Sequence, residues 1–124
     1  MSTILIVEDN EKNMKLARDI LNAKGYRTIE AITGEEGVKL AKEKLPDLVL
    51  MDIQLPGMNG IEAFRQIRAD AKTARIPVVA LTASVTPTDR SEITAAGFDA
   101  FIGKPINLKE FLETVKRVID GAGK

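Results

Sequence analysis

The stretch LVLMDIQLPGMNG, residues 48–60, sets four apolar residues in a row and ends them on an aspartate, Asp52, ahead of a loop that holds Pro56, Gly57 and Gly60. A short apolar run bounded by turn residues reads as a strand buried on both faces, as in a parallel sheet covered by helices. An isolated carboxylate at such a place costs several kcal/mol, so Asp52 needs a cap to make, a partner or a task.

Outward from this run, four more apolar segments fit strands: Thr3 to Val7, Tyr26 to Ala31, Val78 to Leu81 and Ala100 to Ile102, with Leu48 to Met51 as the third of five. Amphipathic stretches separate them. Met14, Ala17 and Leu21 form one helical stripe, Val38, Ala41 and Leu45 a second, and Ile61, Phe64 and Ile67 a third. In the last helix Leu108, Phe111, Leu112, Val115 and Ile119 share one face while Lys109, Glu113 and Lys116 share the other. Gly25 and Gly97 stand where left-handed C-terminal caps are wanted, and Thr86, Pro87 and Asp89 read as N-cap, first-turn proline and capping acid of the fourth helix. Strands alternating with helices predict an α/β domain, a doubly wound five-stranded parallel sheet with five helices. The domain is expected to span residues 1–120 with a short flexible tail at 121–124 and no output domain.

Composition removes several function classes. The chain has 124 residues, 44% of them hydrophobic, and 18 basic residues balance 18 acidic ones. A duplex-binding protein usually carries a basic excess, so DNA binding is not expected. Cysteine and histidine are both absent, which excludes thiolate chemistry, zinc sites of the usual kinds and a histidine general base. No apolar run reaches the length of a membrane span and no signal peptide opens the chain, so a cytoplasmic location is expected.

In an open parallel sheet the ligand crevice lies beyond the carboxyl ends of the strands. Glu8 and Asp9 follow the first strand, Asp52 the third, Thr82 the fourth, and Gly103 and Lys104 the fifth. Each has a plain structural reading: Asp9 as a helix cap, Glu8 as an exposed strand end, Thr82 as a cap, Lys104 as a solvated cation, Asp52 as a turn residue. Together they fall on one edge. If the first and third strands are neighbours, three carboxylates meet there, and two carboxylates about 4 Å apart repel by roughly 4 kcal/mol at an effective dielectric near 20. A divalent cation beside Lys104 brings the formal charge to zero. An all-oxygen set with waters and a phosphate oxygen describes Mg²⁺, and an aspartate in such a site points to phosphoryl transfer onto a carboxylate.

These residues resemble the receiver domain of bacterial two-component response regulators. The matching segments are ILIVEDN (4–10), DLVLMDIQLPGMNG (47–60), IPVVALTA (76–83) and FDAFIGKPI (98–106). The VEDNEKNMKL opening is most similar to single-domain receivers of the DivK type, which serve cell-cycle and phosphorelay circuits. The resemblance implies a flavodoxin-like strand order of 2-1-3-4-5. It implies that Asp52 accepts a phosphoryl group from a histidine kinase or histidine phosphotransferase, and that Asp9, Asp52, the Gln54 backbone carbonyl and, through water, Glu8 hold Mg²⁺. Lys104 would pair with Asp52 and then with the phosphoryl group, and the Lys104–Pro105 peptide is expected to be cis. Thr82 and Phe101 would be the switch pair, acting on a downstream protein through the surface of the fourth helix, fifth strand and fifth helix. Phe101 stands where tyrosine is commoner, so no hydroxyl can lock the inward ring. Gln54 and Ser84 are the positions expected to set the lifetime of the phosphorylated state, and a monomer or a weak, phosphorylation-dependent dimer is expected.

Two other enzyme readings fail on the residues. A dehalogenase-type phosphatase needs a second acid two residues after its nucleophile, where this chain has Gln54, and a dinucleotide-binding module needs a glycine-rich loop where this chain has EDNEKN. The remaining alternative is a binding module of the same fold that acts without phosphorylation. The product of Asp52 chemistry would be a signal, so a phosphoswitch and not an enzyme is expected.

Overall fold

The computed structural model describes residues 2–83 and 87–122. Five strands alternate with five helices: β1 (Thr3–Val7), α1 (Glu11–Ala23), β2 (Arg27–Ala31), α2 (Gly34–Lys44), β3 (Leu48–Asp52), α3 (Gly60–Ala69), β4 (Val78–Thr82), α4 (Pro87–Ala96), β5 (Ala100–Gly103) and α5 (Leu108–Ala122). All neighbouring strands pair in parallel, in the order β2-β1-β3-β4-β5. This is the doubly wound sheet that the alternation predicts.

The two-residue period of a strand divides the core into two layers. Leu5, Val7, Val49, Met51, Val78 and Ala80 face Val38, Ala41, Phe64, Ile67 and Ile93 from α2, α3 and α4. Ile4, Ile6, Leu48, Leu50, Val79 and Leu81 face Met14, Ala17 and Leu21 of α1 and Phe111 and Val115 of α5. Central strands buried on both sides carry no polar alternation, which is why β3 and β4 read as unbroken apolar runs.

Several local expectations change. β3, β4 and β5 each run one residue further than expected, so Asp52, Thr82 and Gly103 are strand residues, while β2 starts at Arg27. Asn10, not Asp9, caps α1, its side chain accepting from the Asn13 N–H, which leaves the Asp9 carboxylate out of that bond. Leu45 is not part of the α2 stripe. It takes the left-handed conformation at φ 46° and is 53% exposed, because Pro46 disfavours a helical residue before it. Leu108 opens α5 at 58% exposure, ahead of the first turn that meets the sheet. Gly25 and Gly97 do adopt positive φ, at 89° and 103°. Helix α5 continues through Gly121 to Ala122, two residues into the segment read as a tail. Ser84, Thr86 and residues 123–124, together with the side chains of Pro87 and Asp89, lie outside the described residues.

Candidate functional site

The carboxyl ends of β1, β3, β4 and β5 form one edge, and the parallel registers align their last residues there. Val7 pairs with Met51, Asp52 with Leu81, and Thr82 with Gly103. Glu8 extends β1 by one more bond, its N–H donating to Ala31 O at 3.0 Å, and its side chain is 1% exposed. Asp9 follows on the exposed rim. Ligand oxygens of Glu8, Asp9 and Asp52 all lie within 4.8 Å of one another.

Asp52 is 3% exposed, and the Gln54 N–H donates to its Oδ1 at 3.2 Å. The turn that follows is held by a close approach. Gly60 N–H donates to Ile53 O at 3.0 Å, and a Cβ on Gly60 would stand 2.2 Å from the Asp52 carbonyl oxygen. Only glycine lets the start of α3 press against the end of β3, with Asn59 capping that helix through the Glu62 N–H.

Lys104 enters from β5. Its backbone N–H donates to Thr82 O at 2.8 Å, and the Lys104–Pro105 peptide is cis. Its ammonium donates to Glu8 Oε1 and Oε2 at 2.8 and 3.0 Å and lies 3.1 Å from Asp52 Oδ2. Among the described residues, every buried side-chain nitrogen and oxygen has a hydrogen-bond partner. Thr82, 2% exposed, closes the edge beside Asp52. Phe101 is half-buried on β5 against the α2–α4 layer. The sequence thus brings Glu8, Asp9, Asp52, Thr82 and Lys104 to one place. The Glu8–Lys104 pair and the Gly60 approach were not legible in it.

The electrostatics follow from this crowding. Burial, and behind it the hydrogen-bonded and charged Glu8, push the Asp52 carboxyl up to about 7, with Lys104 pulling the other way. Burial by itself lowers Lys104, but its bond to Glu8 and the charge of Asp52 outweigh that and hold it above the usual lysine value. One ammonium stands against three carboxyl groups. Three carboxylates this close form an all-oxygen donor set, with neither sulfur nor imidazole, and this fits a small hard cation such as Mg²⁺.

The chain matches the response regulator receiver domain family over residues 4–116. It belongs to that family. The receiver is 45% identical to the polar-differentiation response regulator DivK of Brucella ovis over 120 residues, covering 97% of this chain and 98% of the relative. Among solved structures it superposes on the receiver domain of a Pseudomonas aeruginosa sensor histidine kinase with a TM-score of 0.89 and 34% identity, covering 96% of this chain and 98% of that one. That structure holds a magnesium ion coordinated in its active-site cleft. The chemotaxis protein CheY4 of Vibrio cholerae matches with a TM-score of 0.89, 27% identity and coverage of 95% and 98%. The receiver is therefore a DivK-like response regulator domain of two-component signalling. No helix among its described residues is long and apolar enough to cross a membrane.

Proposed function

We propose that this receiver is a phosphoswitch in which Asp52 takes a phosphoryl group from a phosphohistidine on a partner kinase or phosphotransfer protein. The observation that carries this reading is the position of Asp52, buried at the crevice edge, its Oδ2 beside Lys104 Nζ at 3.1 Å and two further carboxylates within reach. A carboxylate oxygen of Asp52 forms a bond to phosphorus as the phosphorus–nitrogen bond of the donor breaks, and the imidazole leaves with the bonding pair and takes up a proton. The donor histidine is external, because this chain has none. Asp9, Asp52 and the Gln54 carbonyl, with Glu8 through water, would hold Mg²⁺, which when bound neutralises charge on the transferring group.

Lys104 does the positioning that the chain can do by itself. A compact ammonium on a flexible stem can leave one oxygen for another, so it moves from Asp52 Oδ2 to a phosphoryl oxygen without leaving Glu8. The added charge and acceptor oxygens then draw the Thr82 hydroxyl toward the phosphoryl group, and Phe101 turns into the space that it vacates. The result is a population shift in the α4-β5-α5 surface, read by a downstream protein. Hydrolysis at Asp52 resets the switch.

The reading is tested by mixing the protein with a histidine phosphotransfer domain carrying labelled phosphate. Label that moves to this chain, is released by hydroxylamine as an acyl phosphate and is lost in Asp52→Asn supports it. Retention of all label by several such donors overturns it in favour of a binding module independent of phosphorylation.

A further inference from the structure

Arg90 of α4 holds its guanidinium carbon 5.4 Å from the centroid of the Phe101 ring. Phe101 lies opposite Ala80 in the β4–β5 ladder, and Thr82 is the next β4 residue on the same face, so Phe101 and Thr82 are diagonal neighbours. The ring is half-buried: its inner side packs on the core layer under α2, α3 and α4, and the guanidinium lies near its centre from an exposed helix position. A phenylalanine offers no hydroxyl by which the outward position could be held. Its π face is what a cation can hold.

We propose that Arg90 is a latch on this switch, a positioning residue that favours the outward Phe101 ring and so opposes the phosphorylated conformation. The proposal rests on the phosphoswitch reading above. The latch works because the two partners differ in what burial costs them. The ring gains by turning inward, whereas a guanidinium on an exposed helix position would have to give up its water to follow it, so the contact breaks when the ring moves. Phosphorylation must then supply the energy of the lost contact, and the surface that changes is α4 itself, where Arg90 is released to solvent or to a partner. A receiver with tyrosine can lock its inward state with the hydroxyl; this one biases its outward state with a cation.

The test is calorimetric titration of beryllofluoride, a phosphoryl analogue, into the protein with saturating Mg²⁺. An exposed cation–π contact is worth roughly two- to fivefold in an equilibrium constant, so Arg90→Gln is expected to bind the analogue about two- to fivefold more tightly than the parent. Arg90→Lys stays near the parent, and Arg90→Gln introduced into a Phe101→Leu background changes nothing further. The sign is informative, since losing a cation near an anionic ligand would by simple electrostatics weaken binding. Unchanged or weaker binding by Arg90→Gln, or the same tightening in the Phe101→Leu background, overturns the latch. A parent protein that takes up no beryllofluoride overturns the phosphoswitch and the latch together, whereas normal uptake with an inert Arg90 overturns the latch alone.

Discussion

Lys104 donates to both carboxylate oxygens of Glu8, at 2.8 and 3.0 Å, across 96 positions of sequence. The same ammonium reaches Asp52 Oδ2 at 3.1 Å, so it ties together the ends of β1, β3 and β5. Removing it leaves Glu8, 1% exposed, with a buried charge and no cation. Lys104→Met is therefore expected to lose about 3 kcal/mol in urea melts with EDTA. Saturating Mg²⁺ should recover part of that loss, because a cation is again present among the carboxylates. A loss of equal size with and without Mg²⁺ would show that the pair acts through packing and not through charge.

Crowding at Asp52 makes the metal-free fold sensitive to pH. Its carboxyl titrates near 7 in the folded protein, against an ordinary value of 3.8. Between these values the folded chain holds a proton that the unfolded chain does not, so stability is fully present below about pH 4 as far as this group is concerned and falls as pH rises through 7. Urea melts in EDTA should show that fall between pH 5 and pH 8. In Asp52→Asn it should be smaller, with the variant more stable than the parent at pH 8.

The Gly60 approach predicts a mutation that acts on the site from outside it. A Cβ at residue 60 would meet Asp52 O at 2.2 Å and Ile53 Cα at 2.8 Å, both backbone atoms that cannot swing away. Gly60→Ala is expected to cost about 1–3 kcal/mol and to displace the end of β3. Phosphoryl uptake should fall with it. Gly121→Ala, where no atom lies within 4 Å of the added carbon, is the control and should lower neither stability nor uptake.

At the opposite edge of the sheet Asp99 holds the entrance of β4. Its Oδ2 accepts from the Val78 N–H and from Arg68 Nη2, each at 2.7 Å, and Arg68 also donates to Ile76 O and lies 4.8 Å from the centroid of the Phe64 ring, which stacks on Phe98. Asp99→Ala strands a buried N–H and should cost about 1–3 kcal/mol. Phosphoryl uptake under folding conditions should be unchanged, since Val78 and the crevice lie at opposite ends of β4.

How much of this was legible follows a physical divide. The alternation of strands and helices is written in local pattern: the apolar runs at 48–51 and 78–81 read as buried strands and the spaced apolar residues of α1 and α3 as helices, while the strand order comes from the family resemblance. Placement of Glu8, Asp9, Asp52, Thr82 and Lys104 on one edge follows from each standing at or just past the carboxyl end of an apolar run, with the strand order that the family resemblance implies. What the sequence could not carry are contacts between distant positions. Arg68 and Asp99 are 31 residues apart, nothing local marks either as a partner, and the same holds for Lys104 with Glu8. The misplaced details are those where neighbours compete. Asn10 and Asp9 are both good caps, and the backbone entering α1 chose the first; Leu45 continues the apolar period of α2, but Pro46 ends the helix beneath it.

In the proposed switch Asp52 accepts a phosphoryl group with a divalent cation beside it. Intact mass after incubation with acetyl phosphate, in Mg²⁺ and in EDTA, for the parent and Asp52→Asn, tests it most directly. A gain of about one phosphoryl group is expected in the parent with Mg²⁺ and none in the other three samples. A gain of the same size in EDTA, or in Asp52→Asn, would contradict it.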